Sequence, residues 1–348
     1  MKSLTATYLD VLAFTEKQTS TLRALGEYRG KQALYERQRP ELLEALKTVA
    51  RIESTDASNR LEGITAPETR LHAIVRHSET PRNRSEQEIA GYRDALELIH
   101  QTRAEMPVSV NVIRQLHQRI HSYLPESGGD WKPMDNEIVE RDAEGNIVRV
   151  RFHAMSAVAT PQAMEDLVCL YCEGIAAERE PLLIIPLLIL DFLCIHPFRD
   201  GNGRVARLLT LLALYHAGYE VGRYVSLERV IQESSVSYYD SLEASSKQWH
   251  DGRHDCAPWL EYFWGVMLRA YKEFEERVGN IDARSGSKSQ RVREAVERKV
   301  QSFRIVDIEK ECPDVSRETI RLVLRAMKAK GLLELRGRGR GARWRRTD

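Results

Sequence analysis

Apolar residues recur every three to four positions along most of the chain: Leu42, Leu43, Leu46, Val49 and Ala50, then Leu71, Ile74 and Val75, then Ile89, Tyr92, Leu96 and Ile99. That period lays an apolar stripe along one face of an α-helix, so these stretches are predicted helices. Trp259, Tyr262, Phe263, Val266 and Met267 keep the same spacing and are assigned to a core. Residues 138–152 break the pattern. There Ile147, Arg149 and Arg151 alternate with Val148, Val150 and Phe152 after the turn-rich Asp142-Ala143-Glu144-Gly145-Asn146, which predicts a β-hairpin. The longest apolar run, residues 182–190, is interrupted by Pro186 and followed by Asp191, far short of the roughly 20 residues that span a bilayer. No membrane partner is expected. The first residues reach Asp10 before an apolar signal region forms, so a cytoplasmic location is expected.

Composition narrows the class and charge divides the chain. With 348 residues, 42% hydrophobic and 30% charged, and only 12 Pro and 20 Gly, the sequence reads as helix-rich and globular, not disordered or collagenous. Five cysteines, an odd number at irregular spacing, argue for reduced thiols. The close pair Cys169 and Cys172 has no second pair to complete a metal site and is assigned to core packing. Residues 284–348 hold 19 Lys and Arg against 9 Asp and Glu, a net +10, whereas residues 1–283 carry 33 against 42, a net −9. The polar stretch at 283–289 is expected to be a flexible linker between two different surfaces. Beyond it the pattern predicts helices at 290–303 and 306–311, a turn at Pro313, a third helix capped by Ser316 and closed by Gly331, and a hairpin at 332–345. Three helices and a two-stranded wing over 289–348 resemble a winged helix-turn-helix domain. The resemblance implies DNA as a partner, with Arg317, Thr319 and Arg321 in a groove and Arg336, Arg338, Arg340, Arg343, Arg345 and Arg346 at phosphates. Winged helices also bind proteins or form dimers, so a homodimer stays open as an alternative.

The chemistry concentrates in Ile195-His196-Pro197-Phe198-Arg199-Asp200-Gly201-Asn202-Gly203-Arg204-Val205-Ala206-Arg207, between apolar helices expected at 184–195 and 205–219. Gly201 and Gly203 strip side chains from the entry to the second helix, where backbone N–H groups and the helix dipole favour an anion such as phosphate. Arg204 and Arg207, three apart on one face, suit phosphate oxygens. Asp200 is a hard ligand for a magnesium ion that bridges phosphates, His196 can take a proton from an attacking hydroxyl, and Phe198 is expected to be buried as the loop's anchor. No G-x-x-x-x-G-K-[ST] loop offers another phosphate site. His117 and His121 have the spacing of a zinc pair but lack the Glu of H-E-x-x-H and read as ordinary helix residues.

Residues 196–207 match the Fic-family motif H-P-F-x-[DE]-G-N-G-R-x-x-R at every specified position, and the chain resembles that family over roughly residues 40–270. The resemblance implies a mainly α Fic fold with a β-hairpin flap at 138–152, and transfer of AMP from ATP, with Mg2+, to a hydroxyl side chain of a target protein. It further implies that His196 is the general base, Asp200 the Mg2+ ligand, Gly201, Asn202 and Gly203 the anion hole, Arg204 the β-phosphate contact and Arg207 the γ-phosphate clamp. Tyr238 and Tyr239 resemble a position near the adenine. One departure is Trp131-Lys132, where many relatives carry an aromatic followed by Arg. Ser58-Asn59-Arg60-Leu61-Glu62-Gly63 fits the family's inhibitory pattern [ST]-x-x-x-E-[GN]. Ser58 and Glu62 share a helix face and Gly63 is suited to end the helix, so Glu62 is expected to reach Arg207 and displace the γ-phosphate. The expected layout is an N-terminal helical region at 1–105 with the inhibitory helix around 54–63, a catalytic core at 106–283 and the winged helix at 289–348. A DNA-binding regulator with a Fic sensor core, and a Fic enzyme that removes AMP or transfers another phosphate-containing group, remain the alternatives.

Overall fold

The apolar period becomes a series of helices, among them one that is apolar all round. The computed structural model of the chain describes residues 2–38, 40–141, 146–285, 288–297, 299, 302–313, 315–336 and 342–347. These divide into two compact units, Met1–Phe274 and Glu275–Asp348. The first unit runs α1 (Ala6–Leu9), α2 (Glu16–Gln38), α3 (Pro40–Arg60), α4 (Glu68–Val75), α5 (Arg84–Thr102), α6 (Val110–Ile120), β1 (Glu137–Arg141), β2 (Ile147–His153), α7 (Thr160–Ala176), α8 (Pro181–Ile195), α9 (Asn202–His216), α10 (Leu227–Glu233), α11 (Ser235–Ser246) and into α12 (Ala257–Ser285). The architecture is mainly α with two small antiparallel hairpins, in keeping with a Fic fold bearing a flap and a winged-helix-like region. Among the described residues no helix is long and apolar enough to cross a membrane.

α8 is apolar all round and accordingly buried from Ile184 to Ile195. Pro186 sits inside it and cannot donate to the Leu182 carbonyl one turn back. The Trp264 indole N–H supplies the missing bond at 2.7 Å, which lets the helix pass through its proline without an orphaned acceptor. Further along, the fully buried Asp191 carboxylate accepts from the Trp249 indole at 2.6 Å and from the Ser3 backbone N–H at 3.1 Å. Chain start and helix are tied together one turn before the motif.

Several expectations need correction. α9 starts at Asn202 and ends at His216, not 205–219, because Gly201 takes the N-cap position and puts Asn202, Gly203 and Arg204 in the first turn. Val49 is 44% exposed, since α3 buries Leu43, Leu46 and Ala50 instead. Cys169 and Cys172 are exposed, not core, because α7 buries the opposite face through Ala163, Met164, Leu167 and Tyr171. The stretch expected as a linker is helical where it is described, with α12 running to Ser285 and α13 starting at Lys288, while 286 and 287 lie outside the described residues.

In the second unit, α13 (Lys288–Glu297), α14 (Ile305–Glu311) and α15 (Arg317–Ala329) enclose a core with β3 (Leu333–Arg336) and β4 (Arg343–Arg346). Ser316 caps α15 through the Thr319 N–H, and Gly331 follows its end at φ 74°. The first helix stops at Glu297, short of the expected 303, because Phe303 is extended and exchanges two backbone hydrogen bonds with Trp344 of β4, at 2.9 and 2.7 Å. Arg338 and Arg340 lie outside the described residues.

Candidate active site

The loop between α8 and α9 is built from bonds that reach it from distant parts of the chain. His196 ends α8 in a left-handed conformation, φ 51°. Its Nδ1 lies 3.3 Å from the Leu193 carbonyl, which only accepts, so Nδ1 carries the proton and Nε2 presents the lone pair. Burial, followed by the nearby Lys132 cation, pushes the imidazolium down to about 4, so the ring is neutral at neutral pH. Asn202 turns its side chain inward and exchanges two bonds with the Phe198 backbone, at 2.9 and 2.8 Å, closing the loop on itself. Phe198 is fully buried, as expected of an anchor.

What Phe198 rests on corrects the reading of His117 as an ordinary helix residue. The two rings stack at 3.8 Å and 1°. The Gly129 N–H donates to His117 Nδ1 at 2.7 Å, so Nε2–H donates to the Asp200 carbonyl at 3.0 Å. Burial, and then His121, hold His117 down to about 4, keeping the tautomer that both bonds require.

At the N-terminus of α9 the first-turn N–H groups have no intrahelical acceptors and converge with two buried arginines. Arg204, 1% exposed, places Nη1 at 2.8 Å from Glu88 Oε2 and Nη2 at 3.7 Å from Asp200, and its Nε is buried without a hydrogen-bond partner among the described residues. An anion would supply that partner. The Asp200 side chain is 68% exposed beside it, a single hard oxygen donor that suits a magnesium ion bringing its own waters and phosphates.

Arg207 is held by the end of α3. Its Nε donates to Ser58 Oγ at 2.8 Å, and its Nη2 to the Ser58 carbonyl at 2.9 Å and to Glu62 Oε1 at 2.7 Å. Burial alone would lower this guanidinium's pKa, but the Glu62 carboxylate together with Tyr238 and Tyr92 more than offsets it, and the group is shifted up and fully charged. Glu62 lies so close to the α9 backbone that a Cβ at Gly203 would come within 2.3 Å of Oε1. The carboxylate therefore occupies the space directly over the helix's first turn, where an anionic ligand would sit.

Glu62 is set in place by backbone chemistry. Ile64 N–H bonds to the Asn59 carbonyl and Gly63 N–H to the Arg60 carbonyl, both at 3.0 Å, with Gly63 at φ 75°, which is the Schellman ending of a helix. Upstream, Ser54 donates to Glu228 at 2.7 Å and Tyr92 to the same carboxylate at 3.1 Å, while Tyr239 donates to the Leu61 carbonyl at 3.1 Å. Gly63→Ala should cost about 1–2 kcal/mol, the penalty of an L-residue in that conformation. A lower urea midpoint would show it, together with a weakened Arg207–Glu62 contact.

β1 and β2 form the expected flap, with Ile138 opposite Phe152 and register shifts after Ile138 and Glu140. The turn at 142–145 lies outside the described residues. Arg149 grips Glu243 of α11 at 2.7 and 2.9 Å, and Phe152 stacks on His250 at 5.3 Å, so the hairpin is pinned beside the loop. Beneath it Ile138, Phe152, Leu193 and Leu242 line an apolar cavity of about 60 Å3. Asn136 and Glu88 escaped the sequence reading, and Lys132, His117 and Tyr239 were singled out there without the contacts they make.

Residues 107–214 match the model of the Fic/DOC family. The chain carries a Fic/DOC family domain. The Fic fold extends beyond it. A Fic family protein from Desulfovibrio desulfuricans G20 is similar over 97% of both chains, at 20% identity and a TM-score of 0.64. A Fic domain containing signaling protein from Bacteroides thetaiotaomicron VPI-5482 is 23% identical over 75% of this chain and 98% of its own, with a TM-score of 0.60. Fic-1 from C. elegans is 18% identical over 76% of this chain and 73% of that one, with a TM-score of 0.53. No curated protein matches the chain. The Fic domain and the arginine–glutamate pairs at its motif are consistent with a nucleotidyltransferase under autoinhibition.

Proposed function

We propose that this chain transfers AMP from ATP to a hydroxyl side chain of a target protein and is held silent by Glu62. The reading rests above all on one observation: a buried arginine at the N-terminus of the Fic-motif helix is occupied by a carboxylate at 2.7 Å from a helix distant in sequence. His196 Nε2 accepts the proton as the target oxygen attacks the α-phosphorus. The bond from that phosphorus to the bridging oxygen breaks, and pyrophosphate departs. The first-turn N–H groups of Asn202 and Gly203, with Gly201 at the N-cap, and the Arg204 side chain bind the phosphates, and Arg207 holds the γ-phosphate once Glu62 leaves. Asp200 would hold a magnesium ion, which neutralises phosphate charge when bound. Tyr238 and Tyr239 stand on the adenine side of the site in this reading. The test is incubation of the Glu62→Gly protein with α-labelled and γ-labelled ATP, magnesium and cell extract. Label reaching protein only from the α position supports AMP transfer; label from the γ position, or loss of AMP from a modified target, supports the alternative Fic chemistries.

A second reading, DNA binding by the winged-helix unit, is favoured by the outer face of α15. Arg317, Arg321, Arg325 and Lys328 are exposed along it, while Ile320, Val323, Leu324 and Met327 are buried on the other side. Arg343 and Arg345 are exposed on alternate positions of β4. Thr319 is partly buried with its hydroxyl on Ser316 at 2.9 Å, so Arg325 replaces it in the reading face. A duplex should bind the full chain with an affinity that falls about 10³- to 10⁵-fold between about 50 and 200 mM salt if six to ten phosphates are contacted. A gel-shift series without a complex at low salt would leave protein binding or a homodimer as this unit's role.

A further inference from the structure

The left-handed conformation of His196 is strained for a residue other than glycine and persists only where neighbours over-determine it. The neighbours are on the loop after α6. Lys132, 3% exposed, donates its backbone N–H to the Pro197 carbonyl at 2.8 Å and its ammonium to the Ile195 carbonyl at 2.9 Å. The same ammonium donates at 2.8 Å to Asn136 Oδ1, and the Asn136 amide donates in turn to the Phe198 carbonyl at 3.1 Å and lies 3.4 Å from the His196 carbonyl. Every backbone carbonyl from Ile195 to Phe198 therefore faces a donor from this pair.

We propose that Lys132 and Asn136 are positioning residues for His196: they clamp residues 195–198 so that the imidazole keeps its left-handed backbone and presents Nε2 as an uncharged acceptor. The assignment rests on the reading of His196 as the general base. Two effects are separable. Asn136 contributes hydrogen bonds alone, whereas Lys132 adds a buried positive charge at the C-terminal end of α8, where a helix favours a cation. The charged groups facing the ring are Lys132 from the loop after α6, Glu62 from the end of α3 and Asp200 from the ring's own loop. Lys132 is the one cation among them, so its removal leaves only carboxylates, which favour a protonated ring, and Asp200 alone once Glu62 is replaced.

The experiment uses the full chain in the Glu62→Gly background and two readouts. An NMR titration follows the His196 ring proton, assigned by its loss in His196→Ala, and steady-state kinetics follow AMP transfer. Lys132→Met should move the titration midpoint to higher pH and lower kcat by roughly ten- to a hundredfold, the cost of misplacing a reacting group by about 1 Å. Lys132→Arg, which keeps the charge, should restore the midpoint. Asn136→Ala should lower kcat without moving the midpoint or the affinity for ATP. A native midpoint together with a native kcat in Lys132→Met would overturn the proposal, as would a kcat unchanged in Asn136→Ala if the lysine variant fails to fold. Should no variant transfer AMP, the functional reading fails while the titration still decides whether Lys132 sets the state of His196.

Discussion

Glu62→Gly is expected to tighten ATP binding by roughly 5- to 150-fold, the range of a site-to-site coupling of about 1–3 kcal/mol. In the proposed arrangement the carboxylate and the γ-phosphate compete for one buried guanidinium, and Arg207 already spends Nη2 on Glu62 at 2.7 Å. Glycine removes the competitor and leaves Ser58, which holds Nε at 2.8 Å and keeps the clamp oriented. It also clears the space over Gly203, where Glu62 Oε1 stands within 2.3 Å of a Cβ position. The gain in rate should exceed the gain in affinity. A phosphate chain shifted by the carboxylate misaligns the reacting phosphorus, and about 1 Å of misplacement costs on the order of 10²-fold. Arg207→Ala should cancel both gains. A double-mutant cycle on ATP binding by calorimetry and on AMP transfer checks this, and additive effects of the two substitutions would sink the competition.

His196→Ala should lower AMP transfer by roughly 10²- to 10⁴-fold while ATP still binds, because the imidazole acts on the target hydroxyl and touches no phosphate group in the proposed arrangement. Burial and Lys132 hold the ring's pKa at about 4, so it is neutral and able to accept a proton throughout the neutral range. In the Glu62→Gly background, which lacks one carboxylate that favours the protonated ring, the acid limb of the rate should therefore lie at or below about pH 4, with activity lost as pH falls and the ring takes up its proton. Kinetics in the Glu62→Gly background, with ATP affinity measured separately, check both statements. Near-native modification by His196→Ala would remove the residue from the mechanism.

Local signals carried the elements and the chemistry. The period of three to four marks α4 and α5 because a helix must bury one stripe, and Leu71, Ile74, Ile89 and Leu96 are indeed buried. The motif at 196–207 is legible for the same reason, since the anion site it suggests is a helix N-terminus with its loop and needs no distant partner to be recognised. The Ser58 and Glu62 spacing with Gly63 foretold one helix face and its ending, because both are properties of a single turn.

Helix ends and loop anchoring were decided by tertiary contacts. Asn202 could not be placed inside α9 from its own preferences; its two bonds to Phe198 put it there. Phe303 leaves the helical pattern because Trp344 offers it a strand partner. Cys169 and Cys172 are outside because helix phase is set by what α7 packs against, which composition does not reveal. His117, Lys132 and Asn136 carry no motif, and each touches the loop across 60 or more residues of chain. The sequence by itself determined which helices form, where an anion could be bound and which carboxylate could compete for it, since those follow from spacing within a turn or two. Which lysine, histidine and glutamate enclose the site was decided only when folding brought remote segments into one low-dielectric space, where a buried charge or amide must find a partner.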